Sequence, residues 1–150
     1  MNALLTAIVL WLSANFDLPA IHEHPRVELV PASAIASLRY KGLAGWQMQG
    51  PHATSQAGQR EVVSVYDDRT KSIYLRDDWT GSTPAELSVL VHEMVHHLQN
   101  VGKLKFECPQ NREELAYKAQ DKWLKQFGRD LETDFELDGF TLLVTTQCMP

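Results

Sequence analysis

The chain has 150 residues, 44% of them apolar, so it can bury a core of its own and is expected to form one domain over residues 1–150. Its formal net charge of −5, without a cluster of Lys and Arg, excludes the usual nucleic-acid binder and speaks against an anionic membrane surface as partner. It contains no repeat and no low-complexity tract.

Residues 2–14 are apolar and read as a helix. Their core, residues 3–12, is too short for a bilayer span, and no membrane span is expected elsewhere. The segment resembles a signal-peptide core but has no Lys or Arg before it and no clear small-x-small cleavage site. A first helix of the domain, with Trp11 and Leu12 packing inward, is therefore expected. Residues 26–30 read as a short strand, and a short helix follows Pro31 and runs through Tyr40. Residues 42–59 hold four glycines, a proline and few apolar residues, which predicts a long loop able to cap a cleft. His22, His24 and His52 lack ligand partners at useful spacing and are expected at the surface.

Residues 61–66 and 71–76 alternate as two strands of a β-hairpin around Asp67-Asp68-Arg69-Thr70. Ile73 and Leu75 share one face of the second strand; Ser72, Tyr74 and Arg76 share the other.

The next segment carries the chemistry. Thr83, Pro84 and Glu86 form a capping box with proline at the first helical position. Leu87, Leu90, Val91, Met94, Val95 and Leu98 then recur with the spacing of a helix that buries one wide face. Asn100 and Gly102 supply stop signals. Within this helix, His92-Glu93-Met94-Val95-His96 is an H-E-x-x-H motif. Residues four apart share a helix face, so His92 and His96 can aim both imidazoles at one metal ion. Glu93 lies roughly 100° around, within reach of a water on that ion without being a ligand. Two buried histidines with only a packing role are the bland alternative.

A second helix follows, from Asn111 through Trp123, Leu124 and Phe127 to Gly128, with Ala116, Ala119, Trp123 and Phe127 as its buried stripe. Glu113 lies on the side of that stripe, whereas Glu114 points elsewhere and reads as a solvated charge. A hydrolytic zinc site wants three protein ligands and one open position.

H-E-x-x-H followed about twenty residues later by a helix bearing E-x-x-A, here Glu113 to Ala116, resembles the gluzincin metallopeptidases, above all the small single-domain members called minigluzincins. The likeness covers residues 73–123 and implies Glu113 as third ligand of a Zn2+ ion held by His92 and His96. It implies Glu93 as general base and acid in peptide hydrolysis. Many gluzincins carry Asp or Asn four residues after the ligand Glu to orient the first histidine; this chain has Tyr117 there. Tyr117 is thus either a hydrogen-bonding partner of the site or an ordinary core aromatic. His97, four residues past Glu93, is either an oxyanion stabiliser or a half-exposed imidazole. In zincins the strand before the active-site helix is usually an edge that pairs with an extended substrate, which makes residues 71–76 a candidate substrate edge; a plain hairpin is the alternative.

Cys108 and Cys148 are the only cysteines. A bridge between them would secure the C-terminal tail, with its apolar residues 140–144, and implies an oxidising, extracytoplasmic compartment; two free thiols are the alternative. The expected fold is α+β and zincin-like, with active-site helix and ligand helix packed on a small antiparallel sheet. The expected function is a zinc-dependent peptidase acting on a peptide or protein substrate, with a partner protein free to complete the cleft. The alternative is a non-catalytic interaction module on the same scaffold.

Overall fold

The structure is a computed structural model that describes residues 1–38 and 64–148. Within them the chain is mixed α+β. The elements in chain order are α1 (Asn2–Phe16), β1 (Arg26–Val30), α2 (Ala32–Leu38), β2 (Ser64–Asp67), β3 (Ser72–Arg76), α3 (Pro84–Val101), α4 (Pro109–Lys125), α5 (Leu131–Phe135) and α6 (Gly139–Thr146). The expected loop at 42–59, the end of the expected helix at Tyr40, residues 61–63 of the first hairpin strand, and His52 lie outside the described residues.

The hairpin forms as its alternation predicts, with Tyr66 opposite Ile73 and Val65 opposite Tyr74. The sheet, however, is not purely antiparallel. Its order is β1-β3-β2, and β1 joins β3 in parallel, with Val27 beside Ile73 and Leu29 beside Leu75. This pairing also corrects the reading of residues 71–76 as a substrate edge. β3 is the central strand, hydrogen-bonded on both sides, and has no main-chain edge left to offer. The hairpin pattern shows only the local partner of β3; the second partner comes from more than forty residues upstream and leaves no mark in the alternation.

Each sheet face buries apolar side chains. Ile73, Leu75 and Tyr66 point into the main core, shared with Leu5, Ile8, Val9 and Leu12 of α1 and with Leu90, Val91, Met94, Val95 and Leu98 of α3. Val65 and Tyr74 face the other way and pack with Ile35 of α2. Trp11 of α1 meets Trp123 of α4 edge to face, ring centroids 5.3 Å apart, and so joins the first helix to the fourth. No helix among the described residues is long and apolar enough to cross a membrane.

α3 begins as the capping box predicts: the Thr83 hydroxyl accepts the backbone N–H of Glu86 at 3.1 Å. The Glu86 carboxylate reaches back to the N–H groups of Thr80 and Gly81 and grips the incoming loop. At the other end the helix runs through Val101. Asn100 is no stop signal; its side chain donates to the Tyr66 hydroxyl and to the Asp68 carbonyl. Gly102 is needed for closeness, since a Cβ there would lie 2.7 Å from the Leu98 carbonyl oxygen and 2.9 Å from Pro19.

α4 starts two residues earlier than expected, at Pro109. Phe127 falls beyond its end and is 50% exposed, so it does not belong to the buried stripe. Gly128 follows with a φ of +72°. α6 lies along α4, and a disulfide joins Cys108, at the N-cap of α4, to Cys148 just past α6.

Candidate metal centre

The wide apolar face of α3 holds it against sheet and α1, which turns Ser88, His92, His96 and Gln99 toward α4. His92 and His96 stand one turn apart with ring centroids separated by 5.1 Å. α4 packs alongside, and its buried stripe of Ala116 and Ala119 lets the two helices come close enough for Glu113 to face both imidazoles. Among the described residues, His92, His96 and Glu113 form the one group able to hold a metal ion, with ligand atoms all within 4.8 Å of one another. All three are buried.

The surrounding hydrogen bonds decide which ring nitrogen carries the proton. Nδ1 of His96 is 2.9 Å from Oε1 of Gln99, whose Nε2 donates to the Arg112 carbonyl. Nδ1 of His92 is 2.9 Å from Oε1 of Gln120, whose Nε2 faces the Ser88 hydroxyl. Ser88 spends its one proton on the Ala85 carbonyl, so toward Gln120 it can only accept. Both glutamines therefore present an oxygen to the rings, and both histidines are N–H at Nδ1.

Neutral rings of that tautomer turn a bare Nε2 lone pair toward Glu113. Nε2 of His92 lies 3.0 Å from one carboxylate oxygen, and Nε2 of His96 lies 3.0 Å from the other. The second contact is too poorly aligned to be a hydrogen bond, and Nε2 of His96 is a buried nitrogen with no hydrogen-bond partner. Lone pairs of nitrogen and carboxylate at this distance repel unless a proton or a metal cation lies between them. A proton on Nε2 makes the His92 contact a hydrogen bond to Glu113, and a bound metal would take that proton's place. The protonation energetics agree. Burial pushes His96 down, but the Glu113 carboxylate beside it outweighs this and its pKa is raised. Burial pushes Glu113 up, but the two imidazoles hold its carboxyl well below the usual range. The residues thus fit a divalent cation: two bonds of about 2.0 Å at a tetrahedral angle would set ligand atoms about 3.3 Å apart.

Glu93 is buried and accepts a hydrogen bond of 2.6 Å from the Ser64 hydroxyl of β2. The other two expectations for the site change. His97 is neither half-exposed nor at the centre: it is fully buried, Nε2 donating to the Glu23 carbonyl at 2.6 Å and Nδ1 accepting from the Tyr66 hydroxyl at 2.9 Å. Burial lowers its pKa, consistent with a neutral ring. Tyr117 meets the ring of His92 edge to face at 4.6 Å between centroids, while the orienting hydrogen bond at Nδ1 belongs to Gln120. Of the histidines expected at the surface, His22 is exposed, but His24 is half-buried and bonded to the Thr6 hydroxyl.

A family profile described as Domain of unknown function (DUF6647) matches residues 1–150. The chain belongs to this DUF6647 family. No curated protein and no solved structure matches it.

In this DUF6647 chain three site residues escape a reading by motif: Gln99, Gln120 and Ser64. The two glutamines did leave a signal. Gln99 follows His96 by three residues and Gln120 follows Glu113 by seven, so each shares a helix face with a residue of the motif. Ser64 left none, because its contact with Glu93 spans 29 residues and depends on the strand's packing.

Proposed function

We propose that the chain is a zinc-dependent peptidase of gluzincin type, with His92, His96 and Glu113 as metal ligands and Glu93 as general base and acid. The observation that carries this reading is the pair of Nε2 atoms, each 3.0 Å from Glu113, on rings whose Nδ1–H groups are already committed to glutamine oxygens. Three ligands from two helices leave room for a fourth, exchangeable position, as hydrolytic zinc requires.

A zinc ion held there would lower the pKa of a bound water to about 7 and polarise a substrate carbonyl. Glu93 has one oxygen, Oε1, tied to Ser64, which leaves Oε2 to take the proton of the attacking water and pass it to the leaving amine. Gln99 and Gln120 hold both imidazoles in the ligating tautomer throughout. A non-catalytic module would account for the three ligands but has no chemical use for a carboxylate buried beside them. The Cys108–Cys148 disulfide supports an oxidising, extracytoplasmic location.

The test begins with metal content by mass spectrometry after dialysis against trace zinc. About one zinc per chain is expected, lost in Glu113→Ala. Cleavage of a mixed library of unstructured peptides should then fall roughly 10²- to 10⁴-fold in Glu93→Gln, which keeps the ligands. A native chain without zinc would overturn the reading.

A further inference from the structure

We infer that Ser64 is a positioning residue for Glu93, holding one carboxylate oxygen so that the other is aimed at the reacting water. The inference rests on the peptidase reading and adds to it a residue outside both motif and ligand set.

The geometry is that of two matched rungs. β2 presents Ser64 and Tyr66 on one face, and α3 presents Glu93 and His97 on one face. Ser64 donates to Glu93 at 2.6 Å, and Tyr66 meets His97 at 2.9 Å. Two strand residues advance about 6.6 Å and four helix residues about 6 Å, so the spacings nearly coincide. The upper rung, buried and closed by Glu23 and Asn100, fixes the rotation and slide of α3 against β2. The lower rung then meets Glu93 in one orientation only.

That rung has a job that packing alone cannot do. The terminal torsion of a glutamate is broad and roughly two-fold, so a carboxylate without a partner turns freely. Ser64 is buried, which limits the access of water to its hydroxyl, and an ionised carboxylate can only accept. Tying Oε1 therefore sets the plane of the carboxylate and leaves Oε2 as the oxygen to meet the reacting water. A base displaced from its productive geometry loses rate although its identity is intact.

The experiment uses the full chain loaded with Co2+ in place of zinc and measures binding of acetohydroxamate from the cobalt absorption. A hydroxamic acid loses a proton as it chelates, so its affinity reports the neighbouring base without any turnover. Ser64→Ala and Ser64→Val should weaken acetohydroxamate about ten-fold, and Ser64→Thr should stay close to wild type. Threonine and valine share shape and strand preference and differ in the hydroxyl, so their comparison holds even if the alanine variant folds poorly. With a cleavable peptide the loss should appear in kcat with KM little changed. Equal affinity in the Thr and Val variants, with Glu93→Gln weakened, would overturn the role of Ser64 alone. Failure to bind Co2+ through Glu113, or no effect of Glu93→Gln, would instead overturn the peptidase reading.

Discussion

Gln120 holds Nδ1 of His92 at 2.9 Å and stands two helical turns beyond Glu113, so one face of α4 supplies both a proposed metal ligand and the residue that orients a second one. Gln99 does the same for His96 from within α3, at 2.9 Å. Both partners are neutral amides. They fix the tautomer without adding negative charge, so among the described residues Glu113 and Glu93 are the carboxylates buried beside the two imidazoles. Gln120→Ala should weaken zinc binding roughly 10- to 100-fold, and Gln99→Ala comparably. Competition with a chromophoric zinc chelator measures this; unchanged affinity in both variants would mean that the rings are held by packing alone.

The parts legible in the sequence are those set by local periodicity. Thr83, Pro84 and Glu86 mark the start of α3, the spacing of His92 and His96 follows from 3.6 residues per turn, and Glu113 lies on a readable stripe. What the sequence hid depends on distant packing. Tyr117 stood at the expected orienting position four residues after Glu113, yet the same helix face returns at Gln120, and the depth of α4 against α3 chooses between them. His97 follows the motif directly but points toward β2, because 100° of rotation moves it from the ligand side to the sheet side. The parallel partner of β3 and the Ser64 contact are non-local, and no short-range pattern encodes them.

The Tyr66–His97 pair predicts a stability effect that leaves the three proposed metal ligands in place. The phenol accepts from Asn100 and donates to His97, and burial pushes its pKa up to about 12, so it remains a donor over the working range. Tyr66→Phe leaves His97 and Asn100 each short of a partner and should cost about 1–3 kcal/mol of unfolding free energy. Chemical denaturation measures this, and zinc content should be unchanged because neither Tyr66 nor His97 belongs to the proposed ligand set. A loss below about 0.5 kcal/mol would show that the network is not buried in solution.

The disulfide ties α6 to the start of α4. Phe140 is 75% exposed and Leu143 58%, so α6 buries little of its apolar surface and depends on the tether more than a fully packed helix would. Its closed loop, with a sequence separation of 40, corresponds to about 4 kcal/mol in the chain-entropy estimate. The Cys108→Ser, Cys148→Ser double variant should melt roughly 8–16 °C lower by calorimetry. Zinc stoichiometry should survive, since Glu113 lies more than a turn inside α4 and is held by packing against α3. A shift under about 2 °C would mean that α6 is secured without the bridge.

Acidity should separate the metal-free protein from the loaded one. Without metal, the pKa of His96 is raised above 6.5, the carboxylate of Glu113 outweighing burial. A raised group contributes its stability in full below its unfolded value and loses it as pH climbs through the folded value. Glu113 is held well below 4.5, the imidazoles outweighing burial, so its contribution is present above 4.5 and lost as pH falls through its folded value. The contribution of this pair to the stability of the metal-free chain should therefore be greatest between 4.5 and 6.5 and weaken above that window. Zinc needs the Nε2 site deprotonated, so its binding strengthens as pH rises through the folded value of His96. The melting-temperature gap between zinc-loaded and chelator-treated protein should thus widen from about pH 6 to about pH 8, approaching 3 kcal/mol of linkage at roughly 100-fold excess over Kd. A gap that stays constant, or one that persists in Glu113→Ala, would place zinc somewhere other than between these three side chains.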